Sequence, residues 1–289
     1  MKICILIGCH KDFDFVNRII SKLRHKDVDI WLNIDKKAPL KEDDFKDCFI
    51  VKKRFDVKWG HISIIDSTIN ALDEIINSKI KYDRIILISG QDYPIKPVKE
   101  IFSFFAKKEN RKKEFISFEK ISRDGWDLTY RYEKYHFNSK FLKVIAKFLP
   151  KKKFLKGYTP YAGSAWVNIT LSAAKYVVEK YTKDKFHEHF KYSSAIDEIV
   201  IQTILMSDDS PFKSSVVNNC KRYIDWSDHR KGLNKGNPNI LTIKDYESLI
   251  NSDALFARKF DPKVDSAILD KLDEYMEKYY EKNINSNRR

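Results

Sequence analysis

An aspartate and a glutamate stand side by side at Asp197-Glu198, near the head of the apolar stretch Ile196–Met206. A carboxylate held beside a reacting hydroxyl and tuned by partial burial acts as a general base. The same pair at a helix start also caps the helix and offsets its dipole, so local sequence leaves both readings open. A second candidate is Phe256-Ala257-Arg258-Lys259-Phe260, where two adjacent cations lie between apolar anchors. Cations held in place can neutralise a departing diphosphate as magnesium otherwise would. The alternative is a strand edge guarded by charge.

In Ile86–Ile95 (ILISGQDYPI) an apolar run ends in a small-residue turn, and Gln91, Asp92 and Pro94 follow. A metal-dependent nucleotide-sugar enzyme would place an Asp-x-Asp pair in such a loop, two carboxylates around a divalent cation. Here the second acid is missing, and Asp92 either lines a ligand site or bonds its own turn. Asp12-Phe13-Asp14 and Asp27-Val28-Asp29 have the spacing but open a helix and a strand, where capping and surface roles account for them. Trp59 and the Trp226 of Tyr223–Trp226 stand near loops, where an indole can stack on a sugar ring; an isolated tryptophan more often packs. Asn168-Ile169-Thr170 matches a glycosylation sequon inside an expected strand and means little there.

The elements that must position these groups alternate. Strands are expected at Lys2–Gly8, Asp29–Ile34, Cys48–Val51, Asp83–Ser89 and Glu114–Phe118, with helices over Phe13–Leu23, Ile62–Ile76 and Val98–Phe105. Continuous apolar strands with helices between them predict a mostly parallel, doubly wound α/β sheet. Ligands of such sheets bind beyond the carboxyl ends of the strands, so the loops after Gly8, Ile34, Ser89 and Phe118 carry the chemistry. Further on, Ala165–Ile169 reads as a strand, Leu171–Lys180 and Ile196–Met206 as helices, Lys221–Trp226 as a strand, and Thr242–Ile250 and Ser266–Tyr280 as helices. The tail from Asn283 is expected to fray.

The chain has 289 residues, 43% of them hydrophobic, with a formal charge of +14. That is room for one large α/β domain or two small ones, and the charge favours anionic partners without choosing among nucleic acid, anionic lipid and phosphorylated small molecules. The cysteines Cys4, Cys9, Cys48 and Cys220 form no CxxC pair and read as free thiols of a reducing compartment. The first apolar run is closed by His10, Lys11 and Asp12, too early for a signal peptide. The expectation is a cytoplasmic protein, peripheral at the inner face of a membrane. Residues 137–156 repeat apolar side chains at helical spacing with lysines in the gaps. Such a helix either lies on an anionic membrane or packs on its own domain.

Eight stretches occur together in one order: Cys9-His10-Lys11, Asn33–Lys37, Val57–Ser63, LISGQDYPI, Tyr161–Trp166, Asp197-Glu198 with Gln202-Thr203, Tyr223–Trp226 and Phe256–Asp261. In these the chain resembles the Core-2/I-branching β-1,6-N-acetylglucosaminyltransferase family (glycosyltransferase family 14), which includes peptide O-xylosyltransferases. The resemblance implies a variant GT-A fold over residues 1–262 as a single domain, with 263–289 as a C-terminal helix and frayed tail. It implies inversion at the anomeric carbon, a UDP-sugar donor, and a metal-independent reaction without cofactor. By motif, Glu198 resembles the catalytic base, Lys259 a diphosphate ligand, and Asp35 the acid at the nucleoside. Trp59 falls where the family has an aromatic near the uridine, and Asp92 would shape the donor pocket beside Arg258. Glu119 and Trp226 match acceptor positions.

Departures from the family pattern are visible. Asn237-Pro238-Asn239 stands where animal members have a further arginine, for which Arg258, Arg230 or Lys235 would substitute. Ile196 replaces the usual proline, and neither the disulfides nor the membrane anchor of the animal members is expected here. These features fit a bacterial-type member acting on a glycan or lipid-linked saccharide of a surface polysaccharide. A nucleic-acid-binding protein would also explain the charge, but not an acid pair at Asp197-Glu198 or Asp35 at a strand end, because acids repel phosphate backbones.

Overall fold

The computed structural model of the chain describes residues 1–39, 45–137, 139–230 and 236–286. Its strands are β1 (Ile3–Cys9), β2 (Val28–Ile34), β3 (Phe49–Ile50), β4 (Arg84–Ser89), β5 (Asp92–Pro94), β6 (Glu114–Ile116), β7 (Glu119–Lys120), β8 (Tyr161–Ala162), β9 (Asn168–Thr170), β10 (Val216–Asn218), β11 (Arg222–Ile224) and β12 (Phe256–Arg258). The α-helices are α1 (Phe13–Lys22), α2 (Ser63–Ile76), α3 (Val98–Ala106), α4 (Tyr130–Glu133), α5 (Lys140–Ile145), α6 (Leu171–Lys183), α7 (Phe186–Phe190), α8 (Val200–Leu205), α9 (Ser227–Arg230), α10 (Tyr246–Ile250) and α11 (Ala267–Ser286).

The main sheet runs β10-β6-β9-β4-β1-β2-β3. All its pairings are parallel except those of β9, which is antiparallel to β4 and to β6. The period-two alternation of a strand, with a core on each face, explains why β1 and the Ile85–Ile88 centre of β4 are apolar at successive positions. Ile3, Ile5 and Ile7 of β1, with Ile86 and Ile88 of β4, enter one core with α1, α3, α10 and α11. Cys4 and Leu6, with Ile85 and Leu87, enter the opposite core with α2, α6, α7 and α8. The sheet is thus covered on both faces, as the alternation of elements predicted.

Several boundaries moved. Pairing of the expected 165–169 strand starts only at Val167, whose carbonyl accepts from Leu87 N at 2.9 Å; residues 163–166 turn toward the strand ends instead. The expected helix over Ile196–Met206 is broken: Ile196–Glu198 is a 3₁₀ turn, Ile199 leaves helical geometry at φ −122°, and α8 begins after it. At the carboxyl end, α11 buries Ile268, Leu269, Leu272 and Met276 in the same core as β1. It extends to Ser286 rather than ending near Tyr280.

Candidate active site

The parallel register brings the strand ends to one rim. Gly8 stands opposite Ser89, and Cys9 opposite Ile34. The loops that leave are cross-tied: Gly90 N donates to Gly8 O at 2.8 Å and Asp35 N to Cys9 O at 2.9 Å. Asp35 is mostly buried, and its Oδ1 accepts from Lys37 N at 2.8 Å. Its carbonyl accepts from Arg54 Nη2 at 2.9 Å. Its Oδ2 lies 3.5 Å from Lys37 Nζ, so both oxygens of this strand-end acid are held by the same neighbour.

The notch after β4 is filled from elsewhere in the chain. Asp92 lies in β5, which pairs antiparallel with β12 and sets Asp92 opposite Arg258. The carboxylate is fully buried and accepts from Ser89 N at 3.1 Å and Ser89 Oγ at 2.9 Å. Arg258 Nη1 lies 3.3 Å and Arg222 Nε 3.6 Å from it. Asp92 therefore lies beneath the strand ends and holds two guanidinium groups. Arg222 is itself fully buried and donates through Nη2 to Leu87 O at 2.6 Å. Arg258 also stacks on the Trp166 ring, 4.5 Å from its centroid, a cation–π contact.

Lys259 follows Arg258 and is pinned through its backbone. Leu241 N donates to Lys259 O and Phe260 N to Gln91 O, both at 2.9 Å. Its ammonium has no ion-pair partner among the described residues. Burial lowers its pKa, and the charges of Arg258 and Lys11 push in the same direction. A cation crowded by cations, in partial burial, is a ready site for an anion. β12 lies between β11 and β5, so this cation pair does not guard an edge.

Glu198 ends the 3₁₀ turn, and neither it nor Asp197 caps a helix. Arg131 Nη1 donates to Glu198 Oε2 at 2.6 Å, while more than a third of the glutamate side chain stays open to solvent. The Glu198 carbonyl accepts from Gly163 N at 2.8 Å. Gly163 has to be glycine: a Cβ there would sit 1.9 Å from Ser117 O at the end of β6. Ser164 N donates to Ser117 Oγ at 2.8 Å, and Trp166 underlies Arg258. The segment 163–166 thus ties the glutamate to the cation strand. Asp197 points inward, with Oδ1 buried and without a hydrogen-bond partner.

Trp59 is 81% exposed, so it is not a packing residue. It borders a cleft of about 290 Å³ with His61, Tyr135, Phe137, Lys143 and Ser194. The cleft adjoins the glutamate turn, because Ala195 N donates to Gly60 O at 2.8 Å. Glu119 is exposed in β7, beside β8 and the Gly163 segment. Trp226 is half-buried just after β11. Lys235 lies outside the described residues, as does the Arg230 side chain.

Sequence reasoning missed Arg131 and Arg222. Arg131 sits in an aromatic, basic stretch without clear period, and nothing local links it to a glutamate far along the chain. The two Asp-x-Asp pairs are structural: Asp12 faces Lys11 and Lys263, and Asp29 faces Lys2 and Tyr82. The sequon residue Asn168 is fully buried and donates to Cys220 O.

A family model described as "Core-2/I-Branching enzyme" matches residues 6–250. Xylosyltransferase oxt of Drosophila pseudoobscura pseudoobscura is 22% identical over 263 residues, covering 81% of this chain and 28% of that protein. A beta-1,3-galactosyl-O-glycosyl-glycoprotein beta-1,6-N-acetylglucosaminyltransferase 4 of Danio rerio is 25% identical over 299 residues, covering 93% of this chain and 68% of that protein. The chain therefore spans under a third of the first relative and about two thirds of the second. Among solved structures, an active-site mutant of LgtC aligns with a TM-score of 0.46 at 11% identity, over 91% of this chain and 88% of that one. Mouse xyloside xylosyltransferase 1 aligns at 0.40 and 10%, over 89% and 96%.

Proposed function

The chain belongs to the Core-2/I-branching enzyme family, and on that premise we propose that it is an inverting glycosyltransferase. It moves a sugar, N-acetylglucosamine in our reading, from a UDP-sugar to a hydroxyl of a glycan acceptor. The observation that carries this is the tie through residues 163–166: Gly163 holds the Glu198 turn, and Trp166 seats the strand of Arg258 and Lys259. A proton acceptor and a set of fixed cations are thereby built into one rim.

In this mechanism Glu198 takes the proton of the acceptor hydroxyl as its oxygen attacks the anomeric carbon. The bond from that carbon to the diphosphate oxygen breaks, and UDP leaves with the electron pair. Lys259, without a counter-ion of its own among the described residues, receives the diphosphate, and fixed charges of this kind act without reorganisation. Arg258 serves from beneath, turned to Asp92 and Trp166. Asp35 and Trp59 receive the nucleoside, and Glu119 and Trp226 the acceptor. We place no metal in the reaction, because the Asp92 carboxylate is already matched by Arg222 and Arg258. A lipid-linked saccharide of a bacterial surface polysaccharide is the acceptor we propose, on the cytoplasmic side, where a reducing compartment suits four unbonded cysteines.

The test is a melting-temperature panel with UDP, GDP, CMP, UDP-N-acetylglucosamine and UDP-xylose, each with and without EDTA. A ligand at a hundred times its Kd adds about 2.7 kcal/mol to the folded state. UDP and one UDP-sugar should raise the melting temperature equally with and without chelator. A panel in which GDP or CMP wins overturns the donor, and a UDP shift abolished by EDTA and restored by manganese overturns the metal-free chemistry.

A further inference from the structure

Residues 139–149 are held at both ends yet leave their apolar side chains in solvent. At one end Phe137 packs on Tyr135 and Tyr192, with centroids 5.9 and 4.9 Å away. At the other, Phe154 packs on Tyr132 and Phe190 at 4.7 and 5.2 Å, and Lys152 N donates to Glu133 O at 2.8 Å. The stretch between is ordered by Lys143 N to Ser139 O, Ala146 N to Leu142 O and Phe148 N to Ile145 O. None of the residues in α5 is buried. Phe141 is 72%, Val144 55% and Phe148 84% exposed, with Leu142, Ile145 and Leu149 beside them. Of the two readings the sequence left open, packing of these apolar side chains on the domain is not what the structure shows.

Phe141, Leu142, Val144 and Ile145 of α5, with Phe148 and Leu149 in the turn that follows, recur at helical spacing. At helical spacing Lys140 and Lys147 border the apolar residues, while Lys143 turns to the cleft of Trp59. Of the lysines that follow, Lys151 pairs with Glu133 and Lys152 donates to Ser193 Oγ, and Lys153 is exposed. No aspartate or glutamate occurs between Glu133 and Glu179. A patch of large apolar side chains flanked by one sign of charge marks an interaction site.

We propose that residues 139–149 dock the protein on an anionic lipid bilayer, with Phe141, Val144, Ile145 and Phe148 entering the headgroup boundary and Lys140 and Lys147 meeting lipid phosphates. Aliphatic side chains distinguish this partner from nucleic acid: Leu142, Val144 and Ile145 offer no face for base stacking, whereas a bilayer accepts them. Lys143 also lines the cleft that holds Trp59, so docking sets that cleft at the membrane. On the glycosyl-transfer reading, a lipid-borne acceptor would meet the cleft there.

Sedimentation with vesicles tests this. The intact protein should bind phosphatidylcholine vesicles holding a third phosphatidylglycerol at least about tenfold more tightly than pure phosphatidylcholine, at roughly 1 kcal/mol per lysine near the surface. Phe141→Ser with Phe148→Ser, both at exposed positions, should lower that binding at least about tenfold. Lys140→Glu with Lys147→Glu should lower it about thirtyfold or more. The UDP-induced rise in melting temperature is measured alongside; if kept in both variants, it separates loss of docking from loss of the donor site. Equal binding to both vesicle types overturns the proposal. So do variants that bind like the parent, or a random oligonucleotide that displaces the vesicles and still binds the phenylalanine variant.

Discussion

Arg131 and Glu198, 67 residues apart in the chain, meet with Nη1 donating to Oε2 at 2.6 Å. The arginine is mostly buried and the glutamate partly open, so the ion pair fixes one oxygen and leaves the other to the rim. Arg131 also holds the turn by its backbone, its carbonyl accepting from Ser194 N at 2.8 Å.

Glu198→Gln keeps the shape and removes the base. UDP affinity should stay near that of the parent while turnover falls about a hundredfold to ten-thousandfold. Calorimetric titration with UDP beside an initial-rate assay measures both. Near-parental turnover would remove Glu198 from the chemistry.

Arg131→Met should lower kcat without weakening UDP, because it acts through the glutamate. Residues acting as one unit are not additive. Combined with Glu198→Gln, the arginine change should therefore cost little more turnover than the glutamine change alone. Additive losses would mean that Arg131 works elsewhere.

Lys259→Ala should weaken UDP about tenfold to a hundredfold, the range of a hydrogen bond to a charged group. It should weaken uridine, which lacks the diphosphate, hardly at all. Equal losses for both ligands would place the lysine away from the diphosphate.

Asp92→Asn leaves Arg222 and Arg258 without their buried counter-charge. Breaking a buried pair at one partner costs about 3–5 kcal/mol, read as a lower urea midpoint. A variant as stable as the parent would show that Ser89 and the neighbouring carbonyls suffice.

Burial pushes the Asp197 carboxyl up to about 7, and the Glu198 charge adds to this. The folded chain then keeps a proton that the unfolded chain releases near the usual value of 3.8. Stability from this group is complete below the unfolded pKa, falls as pH rises toward about 7, and levels off above. Asp197→Asn should flatten urea midpoints compared between pH 5 and pH 8. An unchanged slope would assign it to another group.

Some of this was written locally. The apolar runs of β1 and β4 announced a sheet buried on both faces, since alternate residues must each find a core. Arg258 and Lys259 were legible as held cations because Phe256 and Phe260, which anchor them, are apolar neighbours in the chain and prove to be buried. Asp197 and Glu198 read as one acidic pair, yet one faces inward and the other the rim. Both lie in a 3₁₀ turn that ends before a break at Ile199, and an isoleucine among isoleucines carries no sign of that break.

By itself the sequence determined the α/β class, the strand ends that carry the loops, and the types of group available there. Those follow from periodicity and composition, which act over a few residues. Only the tertiary structure decided the partners: that Asp92 is neutralised by Arg222 and Arg258, that Arg131 reaches Glu198, and that the apolar side of α5 stays uncovered. Pairing between distant segments depends on how the elements pack together, and packing is a property of the whole folded chain rather than of any window along it.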